Sequence, residues 1–252
     1  MNQKIALITG ASRGLGKSAA LKLAQHGTDV IVTYHRGAAE AADVVAAIEA
    51  MGRKAAALQL DACDSASFPQ FAEQVGSLLQ AKWQRRDFDF LVNNAGVGVH
   101  AAFDETSEEQ FDSLVNIHFK GVFFLTQRLL PLMADGGRII NVSSGLARFS
   151  LPGYSAYASM KGAVEVMSRY LAKELAPRRI AVNVIAPGAI ETDFGGGVVR
   201  DDAGVNAFIA SQTALGRVGL PDDIGGVVAA LLGPDCGWVN AQRIEVSGGI
   251  FL

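Results

Sequence analysis

Residues Ala6–Ala24 read ALITGASRGLGKSAALKLA. A short apolar strand runs into a turn holding Gly10, Gly14 and Gly16, and the turn runs into apolar positions at helical spacing. A helix start offers free N–H groups and the positive end of its dipole, and glycines let a pyrophosphate approach the backbone. The spacing is Gly-x3-Gly-x-Gly, while Gly14, Gly16 and Ala19 also satisfy G-x-G-x-x-A. A ligand-free strand–helix turn could need the same glycines. Position favours dinucleotide binding, because this is the first strand–helix unit of a chain that alternates throughout.

The alternation is plain further along. KIALIT, DVIVTY, AAALQLD, FDFLVNNAG, GRIINVSS, IAVNVIAPG and QRIEVSGG read as seven strands. Helical patterns fill Gly14–His26, Gly37–Met51, Ser65–Lys82, Thr106–Met133, Ser155–Ala176 and Pro221–Leu232, with a capping-box pattern at Thr106 and Glu109. Such alternation predicts an α/β fold, a doubly wound sheet of about seven parallel strands with helices on both faces. Residues 1–252 read as a single domain, since no linker, repeat or low-complexity segment interrupts them. Glu191–Arg217 is the one irregular stretch, and about 190–217 is read as a mobile substrate lid.

Composition excludes several functions. Half of the 252 residues are hydrophobic, net charge is −3, and no Lys/Arg block exceeds two residues, which argues against nucleic acid. No apolar run approaches the roughly 18 residues of a membrane span, and the stretch before Gly10 is too short for a signal peptide. Cys63 and Cys236 lack metal-ligand spacing and read as two reduced, buried thiols. The expectation is a soluble, cytoplasmic protein without a metal.

Cofactor type is read from the end of the second strand. An NAD site wants a carboxylate about 20 residues past the glycines. Here Thr33–Gly37 is TYHRG, with no acid, while Arg36 is nearby and Arg13 lies in the glycine loop. Guanidinium forks bind a 2′-phosphate that a carboxylate would repel. NADP(H) is therefore preferred over NAD(H).

Downstream, YSAYASMKG (Tyr154–Gly162) follows the turn signal LPG and opens a helical pattern. Tyr157 and Lys161 fall one turn apart on one face. Alone this reads first as a surface Tyr covered by a solvated Lys stem, and a phenol tuned by an ammonium needs support from elsewhere in the chain.

Taken together, these motifs identify the chain as resembling the short-chain dehydrogenase/reductases. The match runs from TGASRGLG (Thr9–Gly16) through Asp61, NNAG (Asn93–Gly96), Asn116, Ser144 in NVSS, YASMK (Tyr157–Lys161) and PGAIET (Pro187–Thr192) to SGG (Ser247–Gly249). The resemblance implies a Rossmann-type sheet, NAD(H) or NADP(H), and interconversion of carbonyls and alcohols. By position it implies Tyr157 as general acid/base, Lys161 tuning it and bonding the ribose, Ser144 at the carbonyl oxygen with Ser143 as the alternative, and Asn116 holding a relay water. Lowering a phenol by two to three units takes roughly 3–4 kcal/mol. An ammonium about 4 Å away supplies roughly 4 kcal/mol at an effective dielectric near 20.

Cofactor contacts implied by the same register are Gly10, Ser12, Arg13, Gly14, Leu15 and Gly16, then Tyr34, His35 and Arg36. Asp61 and Ala62 follow at the adenine, Asn93, Ala95 and Gly96 at the ribose, and Pro187, Gly188, Ile190 and Thr192 at the carboxamide. Ser247 departs from the Asp that relatives commonly carry, and His100 has no assigned role. A small-molecule carbonyl reductase is the leading reading. A 3-oxoacyl-carrier-protein reductase and a non-catalytic NADP(H)-binding sensor are the alternatives. Relatives of this length imply a homotetramer.

Overall fold

The computed structural model describes residues 3–252. Seven strands form one parallel sheet: β1 (Ile5–Ile8), β2 (Asp29–Tyr34), β3 (Ala55–Gln59), β4 (Phe88–Asn93), β5 (Met133–Val142), β6 (Ala181–Pro187) and β7 (Arg243–Val246). Their order is β3-β2-β1-β4-β5-β6-β7, with every pairing parallel. All seven expected strands form. The order reverses between β1 and β4, and at such a switch point α/β sheets open a crevice beyond the carboxyl ends of the strands.

Helices cover both faces: α1 (Gly14–Gln25), α2 (Ala38–Ala50), α3 (Phe68–Leu78), α4 (Glu108–Val115), α5 (Gly121–Leu129), α6 (Ser155–Glu174), α7 (Val198–Asp201), α8 (Ala203–Ser211) and α9 (Pro221–Leu232). Strand side chains alternate between two apolar cores. Ala6 and Ile8 pack with Ala20, Val44 and Val228 on one face. Ile5 and Leu7 pack with Phe71, Leu125 and Ala172 on the other. A strand buried on both faces needs near-continuous apolar sequence, which is why these segments lack polar alternation.

Three expectations need correction. The cap at the start of α4 is one residue later than Thr106. Ser107 accepts from Gln110 N (3.2 Å) and Gln110 Oε1 accepts from Ser107 N (3.0 Å), while the Thr106 hydroxyl donates to Ala102 O. Glu191–Arg217 is largely ordered as α7 and α8, preceded by three successive left-handed glycines, Gly195–Gly197. Cys63 is exposed, because the turn after β3 carries it outside the core.

The long Thr106–Met133 pattern is one helical path with a π-helical turn, Asn116–Lys120, between α4 and α5. Inserted turns of this kind recur at functional sites. This one swings His118 inward.

Candidate active site

Tyr157 and Lys161 lie on the first turns of α6 and are almost fully buried, 7% and 5% exposed. Lys161 Nζ is 5.6 Å from the centre of the Tyr157 ring and donates to Val142 O at 2.7 Å. The expectation that this ammonium lowers the phenol pKa is not met. Burial dominates and pushes Tyr157 well above the usual phenol range, offset in part by the Ser144 hydroxyl. Burial also pushes Lys161 down to about 7. A desolvated charge is costly, so the phenol and the amine are both driven toward their neutral forms.

The structure separates the two candidate serines. Ser143 is buried, and its hydroxyl donates to Glu165 Oε1 at 2.6 Å. Ser144, two residues past β5, keeps extended backbone (φ −157°), and its Oγ accepts from Leu146 N at 3.2 Å. Ser144 is thus the serine beside the phenol.

On the other side of Tyr157 stands His118, a residue that the sequence did not single out. Its ring meets Tyr157 edge-on at 5.0 Å and 90°. It is 1% exposed. His118 Nε2 donates to Val97 O at 2.7 Å, which leaves Nδ1 without a partner among the described residues. Burial, with the Lys161 charge second, lowers its pKa to about 3, so the imidazole is neutral. Gly96 makes room for it, since a Cβ there would lie 2.6 Å from His118 Cε1. Asn116, two residues earlier, is only half-buried and makes no side-chain hydrogen bond among the described residues. Phe194 leans over the third side of Tyr157, ring centres 5.9 Å apart.

A phosphate cradle adjoins these groups. Gly10 and Gly14 have φ of +63° and +55°, and a Cβ on Gly16 would press on Gly10 O at 2.5 Å. The start of α1 has no side-chain cap and no acid in its first turn. Those free N–H groups suit an anion. Asn94 braces the loop by donating to Thr9 O (2.8 Å) and Gly10 O (3.1 Å). Thr9 Oγ1 accepts from Asn94 N and Ala95 N, both at 2.9 Å. Thr192 lies 3.7 Å from a Cβ built on Gly14, which joins the expected carboxamide segment to the glycine loop. A Cβ on Gly37 would stand 3.4 Å from Ser12 Oγ and 2.9 Å from Glu40 Oε2, so the loop after β2 also faces this cradle. Arg13 and Arg36 are exposed and enter no ion pair among the described residues. His35 approaches Asp61 at 3.5 Å.

Residues 10–250 match the family model described as enoyl-(acyl carrier protein) reductase. An uncharacterized oxidoreductase of Methylorubrum extorquens is 40% identical over 250 residues, covering 98% of this chain and 97% of its own length. The solved structure of LugOII, a promiscuous reductase catalysing keto-reduction at C1 in lugdunomycin biosynthesis, is 36% identical. It superposes with a TM-score of 0.94 over 100% of this chain and 99% of its own. The angucycline C-6 ketoreductase LanV, solved with bound NADP, is 38% identical with a TM-score of 0.93, covering 98% of this chain and 95% of its own. The chain belongs to the short-chain dehydrogenase/reductase family.

As a short-chain dehydrogenase/reductase it is an oxidoreductase. Its implied site residues line up along the carboxyl edge of the sheet: Gly10 past β1, Arg36 past β2, Asp61 past β3, Gly96 past β4, Ser144 past β5 and Gly188 past β6. Asn93 is an exception to the ribose expectation. Its side chain is buried and donates to Thr126 Oγ1 (2.9 Å) and Asn141 Oδ1 (2.8 Å). Strand alternation directs the preceding asparagine inward and leaves Asn94 to hold the loop. Among the described residues no cluster of three or more metal-ligating side chains occurs, and no helix is long and apolar enough to cross a membrane.

Proposed function

We propose that this enzyme is an NADP(H)-dependent ketoreductase acting on a small-molecule ketone. The observation carrying this reading is the convergence of Ser144, Tyr157 and Lys161 beside an uncapped, glycine-lined helix start. The ligand-bound LanV structure and the keto-reduction ascribed to LugOII support both cofactor and chemistry. Gly10, Ser12, Gly14, Leu15 and Gly16 would hold the pyrophosphate, and Arg13 and Arg36 the 2′-phosphate. Asp61 and Ala62 would meet the adenine, Ala95 and Gly96 the ribose, and Pro187, Gly188, Ile190 and Thr192 the carboxamide. When bound, the dinucleotide supplies a hydride to the carbonyl carbon. The Ser144 hydroxyl donates to the carbonyl oxygen as negative charge develops there. Tyr157 transfers its phenolic proton to that oxygen, completing the alcohol. Lys161 then stabilises the phenolate through its charge. Asn116 would hold a relay water, and His118 packs edge-on against the phenol.

Aromatic and apolar groups around Tyr157 favour a flat, weakly polar ketone: Phe194, Val97, and the His100–Tyr154 pair at 5.0 Å. The segment about 190–217 serves as a lid, hinged at Gly195–Gly197. Arg178, a residue that a carrier-protein reading needs free, is held by Asp135 at 2.8 Å and donates to the Leu130 carbonyl. Half-exposed Phe111, Phe123 and Phe124 on α4 and α5, with Tyr170 on α6, support a homotetramer.

The test is NADPH oxidation against a panel of aryl, alicyclic and acyl-thioester ketones. Turnover of ketones that disappears in Tyr157→Phe supports the reading. Turnover restricted to acyl thioesters, or undiminished in Tyr157→Phe, refutes it.

A further inference from the structure

Behind Ser144 runs a chain of alternating charges that the motif reading left unused. Glu165 lies one turn beyond Lys161 on α6. Its Oε1 accepts from Ser143 Oγ at 2.6 Å and from Arg243 Nε at 2.7 Å. Arg243 opens β7; its Nη1 donates to Glu245 Oε2 at 3.1 Å and its Nη2 to the Ser144 carbonyl at 3.3 Å. Glu245 in turn accepts a two-pronged contact from Arg148 (2.6 and 2.7 Å), which also donates to Ile250 O at 3.0 Å. Ser247, the departure from the family pattern, donates its hydroxyl to Glu245 Oε1 at 3.1 Å.

The signs run minus, plus, minus, plus, so each charge has an opposite neighbour on the way from α6 to the turn after β5. The Glu165 carboxylate is 14% exposed and the Arg243 guanidinium 24%, which limits screening by solvent. Charge-assisted bonds of this kind fix geometry, and a guanidinium fork fixes it in two directions at once. What they surround is one residue. The Ser143 hydroxyl is tied to Glu165, the Ser144 carbonyl is gripped by Arg243, and Arg148 anchors the turn that follows. Ser144 Oγ itself makes no bond into the network.

We propose that Arg243, seated by Glu165, is a positioning residue for Ser144, holding its backbone so that the hydroxyl meets the substrate carbonyl beside Tyr157. The proposal rests on the ketoreductase reading of Ser144. Arg243 touches no reacting atom; its effect passes through the serine. A displacement of about 1 Å at such a group costs on the order of a hundredfold in rate.

The experiment compares steady-state reduction by wild type, Arg243→Gln, Arg243→Lys, Glu165→Gln, Ser144→Ala and the double variant Ser144→Ala/Arg243→Gln. NADPH affinity and melting temperature are measured alongside. Arg243→Gln and the isosteric Glu165→Gln are expected to lower kcat about 10- to 100-fold, with ketone KM and NADPH Kd within about threefold of wild type. Arg243→Lys, keeping charge but not the fork, recovers part of the loss. In the Ser144→Ala background Arg243→Gln adds less than about twofold, because the group that it positions is gone. Multiplying losses in the double variant would mark a merely structural network and overturn the proposal. So would an unchanged kcat in Glu165→Gln, which keeps the measurement decisive should Arg243→Gln not fold. A wild-type kcat in Ser144→Ala would instead sink the role of Ser144 itself, and the positioning claim with it.

Discussion

His118→Gln gives a sharp test of how burial governs this site. The imidazole is almost wholly enclosed, and its pKa is about 3 against 6.5 when exposed. A histidine with a depressed folded pKa binds a proton in the unfolded chain before it does in the native one. Below pH 6.5 the unfolded state therefore holds more protons, and stability falls as pH falls, down to about pH 3. Each pH unit in that window is worth about 1.4 kcal/mol. From pH 7.5 to 4.5 the single residue should cost about 2–3 kcal/mol of stability. Glutamine keeps an amide N–H that can reach the Val97 carbonyl but cannot titrate.

The assay is urea unfolding of both proteins at pH 7.5 and 4.5, at one protein concentration so that any association contributes equally. His118→Gln should be less stable than wild type at pH 7.5, because it loses ring packing against Tyr157. That deficit should shrink or reverse by about 2–3 kcal/mol at pH 4.5. Carboxylates common to both proteins cancel in the comparison. An identical difference between the proteins at both pH values would mean that His118 titrates normally, and the burial reasoning would fail.

Further outcomes follow from the same geometry. Tyr157→Phe should abolish reduction with NADPH affinity nearly intact, measured by turnover and by nucleotide fluorescence titration; substantial residual kcat would remove the general-acid role. Because burial holds Lys161 near 7, kcat/KM for reduction should decline about tenfold per unit above pH 7 as the ammonium is lost; a flat profile to pH 9 contradicts this. Arg36→Ala should weaken NADPH alone and Tyr34→Asp should turn preference toward NADH, since charge-assisted bonds to a phosphate contribute roughly 1.5–3 kcal/mol each; equal loss for both nucleotides returns Arg36 to solvated surface. Light scattering should give a tetramer, and a monomer at micromolar concentration rejects it.

Much of the fold was legible because each strand carried apolar residues at successive positions and each helix its own spacing. Both patterns follow from local geometry. The carboxyl-edge placement of Gly10, Arg36, Asp61, Ser144 and Thr192 followed from strand order, which alternation constrains. His118 was not legible. It lies in NIHFKG, two positions after Asn116, so on a regular helix the two would face different ways, and the family register directs attention to the asparagine. In the folded chain both lie in the π-helical turn, with His118 buried and Asn116 half-buried, and no local rule placed that turn. Asn93 and Asn94 failed for a related reason: adjacent identical side chains give no cue to which one the strand turns inward. The charge chain through Arg243 joins residues far apart, 99 positions in its bond to Ser144, and sequence spacing carries no trace of it.

The disagreement over the phenol matters most for direction. A Tyr–Lys pair read along a helix implies an acidified phenol, the form suited to accepting a proton. The folded site does the opposite. Tyr157 is pushed up, Lys161 is pushed down and His118 is neutral, all because enclosure disfavours charge. A phenol held protonated between two rings is in the form that the proposed reduction starts from, although the same burial makes it a weaker acid than a free phenol. Charge is tolerated here only when it arrives with a compensating partner. The oxygen leaving Tyr157 anionic needs the Lys161 ammonium at that moment, and an ammonium near its own midpoint can supply or lose a proton at little cost. Loss of the Lys161 charge as pH rises therefore removes the partner that a phenolate at Tyr157 needs, and the proposed proton transfer should weaken with it.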